Sequence, residues 1–263
     1  MIGSKRMPVL FIGHGSPENA FEDNEFGYAW ADIASRFPKP VSVLVVSAHW
    51  TSRVCEDADQ TRVTAALYPE TLHDFHGFPK RYFDFVSPIQ GNPALAARVK
   101  GLVTTVPVRG DASRGFDHGS WSVLSRMYPD AEIPVVELSI DEQLRRKDMI
   151  DIGRELATLR DEGVLILGSG NIVHNLGTIE WNGDPYPWAT EFDSFVRDAL
   201  VTKDSEALVG FEKHRQIRLA HPSVDHFLPL LYVIGAAEKE DPVFFCETVF
   251  AASLSMRCVA YGL

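Results

Sequence analysis

Four histidines in this chain stand where an apolar run ends or a helix begins. Imidazole is a common ligand for transition metals and the side chain most readily protonated near neutral pH. His14 lies in Phe11-Ile12-Gly13-His14-Gly15-Ser16-Pro17, His49 in Val46-Ser47-Ala48-His49-Trp50, and His174 in Gly168-Ser169-Gly170-Asn171-Ile172-Val173-His174-Asn175. His226 lies in Asp225-His226-Phe227-Leu228-Pro229-Leu230, at the start of a late helix. In open α/β sheets ligands bind beyond the carboxyl ends of the strands, so the first three imidazoles would reach one rim. Three protein ligands and an open position are what a catalytic metal needs. Any one of these histidines could equally be a satisfied polar residue at a strand end. Three of them after apolar strands point to a shared site.

Further candidates are less specific. His118, in Gly115-Phe116-Asp117-His118-Gly119-Ser120-Trp121, either hydrogen-bonds a substrate or caps the turn before a helix. His73 and His76 flank Asp74 and Phe75 in an aromatic loop, which would serve as a lid over an aromatic substrate or simply pack on the surface. Trp50, Phe75, Phe78 and Trp121 could line an apolar pocket or belong to the core. His214, among charges in Glu212-Lys213-His214-Arg215, is expected to be solvated.

The elements that must position these groups show in the apolar pattern. Residues 8–12, 41–47, 133–138 and 164–167 are short, β-branched, nearly continuous apolar runs, as expected of strands buried on both faces. Residues 25–37, 93–103, 120–128, 147–159 and 188–201 carry apolar residues at helical spacing, and Pro93 suits a first helical turn. This alternation predicts an α/β fold, a mostly parallel central sheet with helices on both faces. Residues 243–249 and 253–261 read as a C-terminal hairpin, which makes the sheet mixed. No repeat or linker divides the chain, so residues 1–263 read as one domain, with 56–62 and 202–218 as surface excursions.

Composition narrows the function. A formal net charge of -11 argues against nucleic acid or an anionic membrane as partner, and no apolar stretch of about 20 residues would span a bilayer. Cys55, Cys246 and Cys258 are widely spaced and odd in number, which suits a reducing cytoplasm. Gly168-Ser169-Gly170 lacks nucleophile-elbow spacing, and neither a P-loop nor a G-x-G-x-x-G fingerprint occurs. Oligomeric state has no signature in the sequence.

Taken together and in order, the blocks around His14, His49, His118, Ser169–His174–Asn175 and Asp225–Leu230 resemble the DOPA-dioxygenase type of class III extradiol ring-cleaving dioxygenases, and within it the bacterial 4,5-DOPA group. The resemblance runs from about Pro8 to the C-terminus. It implies one α/β domain that binds a single non-haem iron(II), or zinc in the same site, and opens a catechol such as DOPA with O2. It places His14, His49 and His226 as metal ligands and His174 as the acid/base near the metal, where it could also approach the ion. His118 would stabilise bound oxygen or a ring hydroxyl, and Trp50, His73, Phe75 and Trp121 would surround the ring. Non-haem iron oxygenases usually pair two histidines with a carboxylate. A three-histidine set matches hydrolytic zinc sites instead, so iron(II) and zinc both stand as the expected ion.

Other readings share the same residues. A zinc hydrolase or deaminase would need a general base, and no H-E-x-x-H or H-x-E signature is present. Gly13–Ser16 alone also resembles tetrapyrrole chelatases, and a non-catalytic metal-binding relative would keep the fold without using His174.

Overall fold

The computed structural model describes residues 6–52 and 61–263. Cys55 and most of the 56–62 stretch lie outside the described residues. The apolar runs form the expected strands, β1 (Val9–Gly13), β2 (Ser42–Thr51), β5 (Val135–Ile140) and β6 (Val164–Gly170). Two strands of four residues, β3 (Thr61–Thr64) and β4 (Val108–Asp111), and four near the C-terminus join them. These last are β7 (Val243–Phe245), β8 (Val249–Phe250), β9 (Leu254–Ser255) and β10 (Cys258–Tyr261).

Among the described residues, eight strands make one sheet in the order β4-β3-β5-β2-β6-β1-β10-β7. The central strands β5, β2, β6 and β1 are parallel, so their carboxyl ends share one edge. β10 joins β1 antiparallel and β7 joins β10 antiparallel, which gives the mixed sheet. The expected hairpin is wider than its sequence suggests, because β8 and β9 form a separate two-stranded ribbon within it.

Successive residues in each central strand face opposite layers, as the pleat requires. Phe11, Val46, Leu138 and Ile166 point into a core covered by the helices Pro93–Leu102, Arg146–Leu156, Pro187–Thr202 and Leu228–Ala237. Ile12, Val45, Val135 and Leu167 point into a second core under the helices Glu25–Ser35 and His118–Met127. A sheet buried on both faces explains why its strands read as continuous apolar runs. Among the described residues no helix is long and apolar enough to cross a membrane.

Two expectations are corrected. Residues 202–218 are more than a surface excursion, since Leu208 and Phe211 within them are buried. His214 is half-buried, its ring 4.6 Å from that of Phe195, rather than solvated.

Candidate metal centre

The carboxyl edge of the parallel strands delivers the histidines. His14 follows β1, its backbone N–H donating to Gly170 at the end of β6. His49 lies within β2, in a stretch where the pairing with β5 shifts register. His118 is the first residue of its helix, with Asp117 before it. His226 is brought in by contact between backbones: its carbonyl accepts from Asn171, and a Cβ on Gly170 would come within 2.2 Å of that oxygen. Only glycine admits so close an approach.

Four imidazoles converge there. The His14 ring centroid is 5.0 Å from that of His49, 5.4 Å from His118 and 5.3 Å from His226. His49 lies 4.0 Å from His118 and 4.9 Å from His226. One nitrogen each of His14, His49 and His118 fall within 4.8 Å of one another, close enough for a metal ion. A fifth ring, His174, stacks on His226 at 3.5 Å with 4° between the planes.

The hydrogen-bond network assigns the tautomers. Ser169 donates its hydroxyl proton to the Gly119 carbonyl (2.6 Å), so the His14 Nδ1 at 3.0 Å must donate to Ser169. Asp74 accepts from Nδ1 of both His49 (2.9 Å) and His118 (2.8 Å), and Asp225 accepts from Nδ1 of His226 (3.1 Å). Every Nδ1 therefore carries hydrogen, and every Nε2 turns a lone pair inward. Such an oxygen partner behind each ring orients a metal-ligating histidine and raises its basicity.

Those lone pairs need a cation. His14 Nε2 and His49 Nε2 stand 3.1 Å apart, a distance two bare acceptors cannot hold without a proton or a metal between them. His226 Nε2 is buried with no hydrogen-bond partner among the described residues. Burial and the neighbouring imidazoles, His49 foremost, pull the His14 pKa well below its ordinary value. Burial also opposes charge on His49, but the Asp74 hydrogen bond and nearby carboxylates outweigh it and raise that pKa. His118 and His226 are lowered, chiefly by burial, against the pull of Asp74 and Asp225. Burial would raise both aspartates, yet their imidazole partners hold them below the usual carboxylate range. Imidazole nitrogens backed by oxygens of Asp74, Asp225 and Ser169 fit a divalent cation.

The remaining candidates fall into two groups. His174 is half-buried, its pKa lowered well below the ordinary value by burial and by His226. Phe75 meets the His118 ring edge-on at 5.6 Å, and Trp121 lies 6.5 Å from His118 with its indole N–H donated to the Leu72 carbonyl. His73 spends Nε2 on the Phe85 carbonyl (2.9 Å), and its ring packs among Phe75, Phe83 and Trp121. Trp50 is fully buried, with the Arg114 guanidinium 5.3 Å from its ring. Phe78 packs on Phe75, and His76 is exposed.

Sequence reasoning overlooked the groups behind the rings. Asp74 serves two imidazoles, and its only local signal was a carboxylate set among aromatics. Beneath it, buried Asp117 accepts from Ser47 (2.6 Å) and Arg114 (3.1 Å), and its backbone N–H donates to buried Glu137. Burial, with Asp117 nearby, raises the Glu137 pKa well above its ordinary value.

Comparison with known proteins agrees with this geometry. Residues 7–257 match the family model described as the catalytic LigB subunit of aromatic ring-opening dioxygenase. The chain is 45% identical over 269 residues to a 4,5-DOPA dioxygenase extradiol of Escherichia coli (strain K12), covering 100% of this chain and 97% of that protein. It is 39% identical over 239 residues to a 4,5-DOPA dioxygenase extradiol of Beta vulgaris, covering 87% and 86%. A crystal structure of an uncharacterized protein from Escherichia coli K12 superposes with a TM-score of 0.83 at 42% identity, covering 97% of this chain and 100% of that one.

Proposed function

The chain belongs to the family of the catalytic LigB subunit of aromatic ring-opening dioxygenases, and from that premise we propose that it opens a catechol ring of the DOPA type by extradiol cleavage with O2. The observation that carries the reading is the convergence of four Nε2 lone pairs, each braced from behind by an oxygen. His14, His49 and His226 are the proposed ligands, the last because its buried Nε2, unpartnered among the described residues, belongs to a ring packed against those of His14 and His49. Iron(II) is the proposed working ion, and the same neutral donor set would hold zinc.

A bound iron(II) would supply Lewis acidity that lowers the pKa of a catechol hydroxyl and a path for electrons from ring to dioxygen. The chain's own residues do the rest. His174, neutral, half-buried and stacked on His226, takes the proton from a substrate hydroxyl at a free ring nitrogen and returns it as the ring opens. His118 gives its Nδ1 hydrogen to Asp74, so its Nε2 accepts a hydrogen bond from the substrate diol and fixes its orientation. Phe75, whose ring meets His118, offers an apolar wall to the aromatic ring, with Trp121 behind it. His73 supports that wall by tying the aromatic loop to the Phe85 carbonyl. The free thiols Cys246 and Cys258 favour a reducing, cytoplasmic setting.

The test is reconstitution with iron(II) without air, followed by DOPA or caffeate and oxygen. The expected result is a yellow ring-opened product with matching oxygen uptake, and neither with zinc. Metal binding without oxygen uptake across several catechols would overturn the reading.

A further inference from the structure

Away from the imidazoles, the fold brings two thiols together beneath the turn that carries His14. Phe245 on β7 stands opposite Cys258 on β10, and Cys246 follows at once. Strands about 4.8 Å apart with a rise of about 3.4 Å per residue put such a diagonal pair roughly 6 Å apart at their α-carbons. A disulfide spans about 4.4–6.8 Å between α-carbons. Cys246 has φ 52°, a left-handed conformation that turns the chain out of the regular strand alternation. Its thiol lies against that of Cys258, and both are free.

The pair is wired to the metal turn. Gly13, the residue before His14, donates its N–H to Cys258 Sγ at 3.3 Å. The Met256 backbone presses on the same glycine, where an added Cβ would meet the Met256 carbonyl carbon at 2.9 Å. Its sulfur covers Gly15, which has φ 65°. Met256 N–H donates to Thr248 O (2.8 Å) and Thr248 N–H to Cys246 O (2.7 Å), so contact is continuous from Cys246 to the His14 turn.

We propose that Cys246 and Cys258 form an oxidation site: a peroxide converts the pair to a disulfide, which draws Cys258 Sγ off Gly13, loosens the His14 turn and weakens the hold on the metal. Cys246 is the member that meets the peroxide, being half-buried where Cys258 is buried. Cys258 donates its S–H to the Met256 carbonyl (3.3 Å) and burial disfavours its thiolate, so Cys246 is the readier thiolate. The Cys246 thiolate displaces hydroxide from the peroxide and becomes a sulfenic acid, the hydroxide taking up the proton that Cys246 released. Cys258 then attacks that sulfur, the S–S bond forms, and the sulfenic hydroxyl leaves as water with the Cys258 proton. Two thiols lose two electrons, and one peroxide becomes two waters.

The proposal rests on His14 being a metal ligand, and the test separates the two. Zinc affinity of the full chain, in a Cys55→Ser background, is measured by competition with a chromophoric chelator before and after hydrogen peroxide, and again after dithiothreitol. The expected result is a disulfide-linked pair of peptides carrying Cys246 and Cys258, a fall in zinc affinity of about tenfold or more, and recovery on reduction. Cys246→Ser should bind zinc normally and be indifferent to peroxide. A disulfide with unchanged zinc affinity, no disulfide, or a peroxide effect that persists in Cys246→Ser would each overturn the proposal. Failure of the ligand assignment would show separately, as unchanged zinc affinity in reduced His14→Ala.

Discussion

His221 and His226 lie in one short segment, both buried, yet they sit in opposite kinds of surroundings. His221 donates Nε2–H to the Ile172 carbonyl (2.7 Å) inside a cage formed by Phe192, Phe211 and Phe227. His226 gives its Nδ1 hydrogen to Asp225 and turns Nε2 toward other imidazoles. Each leaves one buried ring nitrogen without a hydrogen bond, so an orphaned nitrogen alone does not mark a ligand. The difference lies in what surrounds each ring: three phenylalanines and the Ser223 backbone at His221, further imidazoles at His226. A cation satisfies the second arrangement and does nothing for the first.

Substitution should break the comparison most sharply at the proposed ligands. His14→Ala, His49→Ala and His226→Ala should each lose tight metal binding and ring-opening together, while His221→Gln keeps its metal, as read by metal content after gel filtration. Next in size is His174→Ala, which should keep its metal and lose about 10²–10⁴-fold in kcat, the usual worth of general acid–base help. Full activity in that variant would remove His174 from the mechanism. Asp74→Asn should weaken metal binding by about 10–100-fold, as loss of a carboxylate behind metal-ligating histidines typically does.

The smallest effect belongs to His221 and appears in stability. Burial pulls its pKa down to about 4, the hydrogen bond to Ile172 only partly opposing it. Its unfolded value is about 6.5, so between those limits the unfolded chain binds more protons and stability falls as pH drops. The contribution is complete above about pH 6.5 and gone below about 4, and its size is on the order of a few kcal/mol. Removing the titrating ring in His221→Gln should flatten that part of a denaturation-against-pH curve, at a cost of about 1–3 kcal/mol at neutral pH from the altered buried hydrogen bonding.

The same contrast explains what the sequence disclosed. The four central strands and the longer helices were legible because burial on both faces of a sheet and on one face of a helix imposes a regular apolar pattern. Thr61–Thr64 and Val108–Asp111 were not, being four residues each with a single apolar side chain apiece. The imidazoles at strand ends could be placed on one rim from topology alone. Asp74 could not be paired with His49 and His118, nor Cys246 with Cys258, because these meetings depend on how loops and antiparallel edges close in space. His73 and His118 show the limit clearly: both come from aromatic surroundings, and only the structure reveals that one is tied to a backbone carbonyl and the other joins the cluster.

The most direct measurement is an anomalous-scattering map from crystals grown with zinc. One ion should appear about 2.0–2.1 Å from Nε2 of His14, His49 and His226, with Asp74 and Asp225 still bonded behind the rings. An ion held by His118 in place of His226, or found away from this rim, would contradict it.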